Sequence, residues 1–109
     1  MTTFDERERA FENKYAHDAE MTWKAEARRN RLLGLWAAER MGLSGEDAST
    51  YAKAVVKADF EEAGDMDVFR KVKADLDAKG QGIEDTELRA KMDALLKEAK
   101  AQLMGEFGG

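Results

Sequence analysis

Residues 4–41 read FDERERAFENKYAHDAEMTWKAEARRNRLLGLWAAERM, a long run with no proline and a single glycine, Gly34. Proline is the usual helix stopper, and alanine, glutamate, arginine, lysine and leucine are good helix formers. The spacing therefore predicts one helix from Phe4 to Met41. Thr3 and Glu6 have the spacing of a capping box, in which each side chain serves a free backbone N–H of the first turn. Gly42 can take the left-handed conformation that closes a helix. One such helix would span roughly 57 Å at 1.5 Å per residue.

Working outward, glycines divide the remaining chain into three shorter helical stretches. A second helix is expected from Gly45 to Ala63, with Ser44 as N-cap and Glu46 and Asp47 at the positive end of the dipole. Ala52, Val55, Val56, Phe60 and Ala63 fall on one face of it. Asp65 should cap a third helix carrying Phe69, Val72 and Leu76, which stops near Gly80. Asp85 or Thr86 should cap the fourth. Its stripe of Leu88, Met92, Leu95, Leu96, Ala99 and Leu103 is the cleanest in the chain. Short turns between helices imply antiparallel neighbours. The expected fold is all-α: a small four-helix bundle with a long first helix. Asp59 breaks the second stripe, and a carboxylate there needs a partner or a shifted pKa.

The first helix is too long for a bundle built on its neighbours. Leu32, Leu33, Leu35, Trp36 and Met41 spread over a wide arc suited to burial, with Trp23 expected at the bundle's end. The N-terminal half differs. Phe4, Phe11 and Tyr15 form a narrow aromatic line, flanked by Ala10 and Ala19. Around them stand Asp5, Glu6, Arg7, Glu8, Arg9, Glu12, Asn13, Lys14, Asp18 and Glu20. A thin apolar seam on a polar helix suits a groove on another protein. It predicts an N-terminal arm over 1–17 that is mobile in the free protein, a bundle over 18–105 and a frayed tail over 106–109. The competing reading folds the aromatic line back onto the bundle as core.

Charge changes sign along this stretch. Lys24, Arg28, Arg29 and Arg31 follow the acidic N-terminus and mark a possible secondary contact for an acidic partner or a phosphate. Elsewhere the composition mostly excludes. A net charge of −5 argues against nucleic acid. With no cysteine and one histidine, His17, nucleophile–base pairs and zinc sites lack material. No metal and no catalytic residue is assigned, and an enzyme acting through Asp59 is disfavoured. No P-loop or dinucleotide fingerprint occurs. The longest apolar stretch, Leu32 to Ala38, is far short of a membrane span, and the charged residues after Phe4 do not read as a signal peptide.

The stretch Phe4-Asp5-Glu6-Arg7-Glu8-Arg9-Ala10-Phe11-Glu12-Asn13-Lys14-Tyr15-Ala16 resembles the start of the alphaproteobacterial ATP synthase zeta subunit, the ATPase inhibitor subunit. Arg28-Arg29-Asn30, Leu32-Leu33-Gly34-Leu35-Trp36-Ala37-Ala38, Tyr51 to Val56 and Asp59 to Gly64 extend the likeness over nearly the whole chain. The resemblance implies a non-enzymatic four-helix bundle. Its N-terminal arm, here Thr2 to about His17, enters a catalytic interface of the ATPase head between alpha and beta subunits and against gamma, and blocks hydrolytic rotation. It also implies a cytoplasmic protein, peripheral at the inner membrane through the synthase, with no resident cofactor. Weak ATP or ADP binding is compatible with it. The alternative function is nucleotide sensing, with phosphates held by Lys24, Arg28, Arg29 and Arg31.

Overall fold

The computed structural model describes the backbone of residues 3–59 and 64–107, and the side chains of 5–59 and 64–106. Five helices follow one another: α1 (Thr3–Tyr15), α2 (Ala19–Arg40), α3 (Gly45–Ala58), α4 (Met66–Ala78) and α5 (Asp85–Phe107). No strand occurs among the described residues.

The expected single first helix is two helices. No glycine or proline stands at the break, Ala16-His17-Asp18. Local hydrogen bonds mark it instead. The Asp18 N–H donates to Tyr15 O at 2.9 Å, ending α1 in a tight turn. Asp18 then takes an extended conformation as N-cap, and its Oδ1 accepts from the Met21 N–H at 3.1 Å. An aspartate in this role satisfies one of the four orphan donors of a helix start.

The other elements follow the sequence closely. α4 starts directly after Asp65, whereas α5 already includes Asp85, and Glu84, whose carbonyl accepts from the Leu88 N–H at 3.0 Å, holds the cap position expected for Asp85 or Thr86. Gly42, Gly64 and Gly80 all have positive φ, between 71° and 83°. α3 is shorter than expected and ends at Ala58; Phe60 and Ala63 lie outside the described residues. α5 runs on to Phe107, into the stretch expected to be tail.

Two apolar clusters hold the helices together. The first joins Leu33 and Ala37 of α2, Val55 of α3, Val68, Val72 and Leu76 of α4, and Leu88, Met92 and Leu95 of α5. Trp36, Tyr51 and Phe69 pack around it, half-buried. The second lies beyond it and joins Phe11 of α1, Met21 and Ala25 of α2, and Leu103 and Met104 of α5. α5 supplies both because its 23 residues far outrun the 14 of α3 and the 13 of α4.

The α2–α3 contact depends on small side chains. Gly34 faces Ala52, and a Cβ built on Gly34 would lie 2.6 Å from the Ala52 Cα. That atom belongs to the backbone and cannot rotate away. Gly34→Ala is expected to force the two helices apart and to lower stability by about 1–3 kcal/mol, the usual cost of overpacking. Urea denaturation checks this, with a lower midpoint and an unchanged slope.

Candidate partner-binding site

The expected arm residues form α1, and α1 lies against the C-terminal half of α5. Phe11 is only 2% exposed, wedged among Met21, Ala25, Leu103 and Met104. Ala10 and Tyr15 pack beside it, with the Phe11 and Tyr15 ring centroids 5.1 Å apart and tilted by 57°. The expected overhang is thus corrected: the competing reading describes Phe11 and Tyr15, while the side chain of Phe4 lies outside the described residues. The reason is the length of α5, which offers a platform past the first cluster.

Two ion pairs flank the wedge. The Asp5 carboxylate pairs with the Lys97 ammonium, and Glu12 Oε2 lies 2.6 Å from Lys100 Nζ. The Lys97 contact holds the Asp5 carboxyl below its ordinary pKa, and Asp5 holds Lys97 above its own. Lys100 also stands 5.9 Å from the Phe11 ring centroid. Solvent-exposed pairs of this kind contribute roughly 0–1 kcal/mol each, whereas truncating a buried phenylalanine costs about 3–5 kcal/mol. Phe11 is therefore the main fastening. The outward surface of α1 is polar: Glu6, Arg7, Arg9, Glu12, Asn13 and Lys14 are exposed, and Glu8 is half-buried.

Three residues of the basic stretch, Lys24, Arg28 and Arg31, line one groove with Trp23, and Arg29 does not. Lys24 pairs with Glu20 at 3.3 Å. Arg28 forms a two-pronged pair with Glu106 and donates to Gln102 Oε1 at 3.3 Å. Arg31 is exposed. Arg29, expected at the surface, is 4% exposed. Its position between Ala25 and Leu33, four residues each way, puts it on the inward face of α2. Trp23 is 51% exposed rather than packed at the bundle's end, and forms a wall of a groove of about 320 Å³ with Ala27, Arg31, Val56 and Leu103.

Arg29 belongs to a buried polar cluster at the ends of α3 and α4. Its Nε donates to Asn30 Oδ1 at 2.7 Å, and its Nη1 lies 3.7 Å from Asp65 Oδ2. Asp65 also accepts from Arg89 Nη1 at 2.9 Å, so its carboxylate serves these arginines and makes no side-chain cap bond to α4. Burial pushes the Asp59 carboxyl above its ordinary pKa; the Asn30 amide and Arg29 pull it back, and Asp67 and Asp65 push it up further. Asn30 Nδ2 makes no hydrogen bond of good geometry. Sequence reasoning flagged Asp59 and missed Asn30, because one asparagine among charged residues carries no pattern. The arrangement has no nucleophile–base pair. Among the described residues no group of acidic or histidine side chains is placed to hold a metal, and no helix is long and apolar enough to cross a membrane.

The model for the ATPase inhibitor subunit zeta family matches residues 1–102. The chain belongs to that family. That membership supports an inhibitory role at the ATP synthase. No curated protein matches the chain. A solved structure, described as the solution NMR structure of a protein, is 59% identical, covering 80% of this chain and 99% of that one with a TM-score of 0.70. Zeta-family membership thus joins the sequence resemblance to a fold in which the resembling N-terminus is a helix of its own.

The Asp59 cluster predicts a pH effect on stability. A carboxyl whose folded pKa is raised binds its proton more tightly in the folded state, so its contribution favours folding at low pH. That contribution is lost as pH climbs from the unfolded value of about 3.9 through the raised folded one. Asp59→Asn is therefore expected to stabilise the protein at pH 7 and to leave it little changed near pH 3.5. Urea midpoints of variant and wild type, compared at both pH values, check the difference.

Proposed function

We propose that the chain inhibits ATP hydrolysis by inserting α1 into a catalytic interface of the ATPase head, between alpha and beta subunits and against gamma. The observation that supports this best is the independence of α1. It is a complete helix tethered by three residues, fastened by one aromatic wedge and two flanking pairs. Undocked, it presents Phe11 and Tyr15 along one line, with Arg7, Arg9 and Lys14 on other faces. Burying aromatic side chains in a groove is worth several kcal/mol at roughly 25 cal/mol per Å². The basic residues can pair with carboxylates of the head, and Asp5, Glu6 and Glu8 sit at the favourable end of the helix dipole.

On this reading Phe11 is buried twice, on α5 in the free protein and in the head when bound. Its substitution weakens both states, and the effect on potency is only their difference. Arg9 and Lys14 are cleaner probes, since both are exposed and lie outside the two ion pairs that fasten α1.

The test is ATP hydrolysis by the purified head, titrated with the full-length chain and its variants. Arg9→Glu combined with Lys14→Glu is expected to raise the half-inhibitory concentration at least about ten-fold, as for reversal of charges that become desolvated in an interface. The unfolding free energy from urea denaturation should stay within about 0.5 kcal/mol of wild type, as for exposed positions. Unchanged potency of the double variant would place the inhibitory surface elsewhere, around Arg31 on α2.

A further inference from the structure

The break at Ala16-His17-Asp18 is unusual in what it lacks. No glycine, proline or positive-φ residue is present there. Nothing in the covalent chain prevents these residues from being helical, and alanine favours it. The break persists because of two tertiary and local devices: Phe11 seated on α5, and the Asp18 carboxylate on the Met21 N–H. In a continuous helix the second device has no role. The Met21 N–H would then bond the carbonyl of residue 17, four positions back, and the Asp18 side chain would stand in solvent.

We infer that the 16–18 turn is a hinge, that α1 leaves α5 by fusing with α2 into one helix from Thr3 to Arg40, and that Asp18 is the residue that sets the balance. The fused helix would be roughly 57 Å long. The closed protein measures 40 Å in its longest dimension. Opening therefore turns a docked helix into a rigid rod that stands clear of the bundle. It carries the aromatic line outward in a fixed orientation rather than on a slack tether. The inhibitory consequence rests on the function proposed above, but the hinge itself does not.

Asp18 separates fusion from simple detachment. If α1 detached and melted while α2 still began at Ala19, the Asp18 cap would survive, and removing it would weaken the open and closed forms alike. Only if the helices fuse is the cap present in one state and absent in the other. Loss of an N-cap is worth about 1 kcal/mol, so Asp18→Ala should raise the open population roughly five-fold. A serine at this position retains capping ability.

The chain has no cysteine, so a single thiol can report opening. Met104→Cys places it on α5 beneath α1, where Met104 is buried beside Phe11. In a regime where closing is fast, the labelling rate by a thiol reagent follows the open population even when that population is small. Ala37→Cys, in the first cluster, reports global unfolding. The expected results are labelling at position 104 much faster than at 37, a further acceleration of about five-fold by Asp18→Ala, and a rate within two-fold of the parent for Asp18→Ser. Equal labelling at 104 and 37 would show that α1 does not open apart from the bundle and would overturn the inference. Faster labelling at 104 that Asp18→Ala leaves unchanged would show detachment without fusion and would also overturn it. Should labelling respond as expected while the potency of Asp18→Ala against the ATPase head stays the same, the hinge stands and the proposed inhibitory use of α1 falls.

Discussion

The seating of Phe11 on α5 decides the shape of this protein. Remove it, and the elements that remain are an ordinary bundle with a short charged segment attached. A thirteen-residue helix is marginal in water on its own, because nucleation costs more than so few hydrogen bonds return. With the ring lodged among Met21, Ala25, Leu103 and Met104, α1 gains a support, α5 gains a use for its last turns, and α2 acquires a defined start at Asp18. The flanking pairs, Asp5 with Lys97 and Glu12 with Lys100, fix the register of α1 on α5 more than they add stability.

Most of the architecture was legible in the sequence because it is written in local signals. Gly42, Gly64 and Gly80 sit where the chain turns with positive φ, and the stripe from Leu88 to Leu103 faces inward. The division of the first stretch was not legible. Thr3 to Arg40 satisfies every local rule for one helix, and Asp18 has no special standing among so many acidic residues. What breaks the helix is a contact from Phe11 to residues more than ninety positions away. Length reasoning failed for a related cause: only the first helix was judged long, although α5 is longer than α3 and α4 and offers the missing platform.

The candidate site shows the same division. The aromatic line and its charged surroundings stand out in the sequence, but as half of one long helix rather than the separate docked helix observed; family membership agrees with a regulatory role for the chain. Its docking partner within the protein was not foreseen, because Lys97 and Lys100 look like any solvated lysines of a helix face. In the basic stretch one residue of four departs from the sequence reading. Lys24, Arg28 and Arg31 line one groove, with Arg28 paired to Glu106, but helical geometry turns Arg29 inward to the buried Asn30 and half-buried Asp65. Proximity along the chain gives a shared groove for three of the four and fails only for Arg29.

The account makes α1 both the inhibitory element and its own cover. Locking it shut tests that most directly. Cysteines at positions 12 and 100, where Glu12 and Lys100 now pair, can be bridged by a reducible bifunctional thiol reagent, and the bridged protein titrated into the ATPase head. The account predicts that bridged protein fails to inhibit hydrolysis and that cleaving the bridge with reductant restores inhibition. Equal inhibition by the bridged and the cleaved forms would contradict it, since α1 would then act without leaving α5 or not act at all.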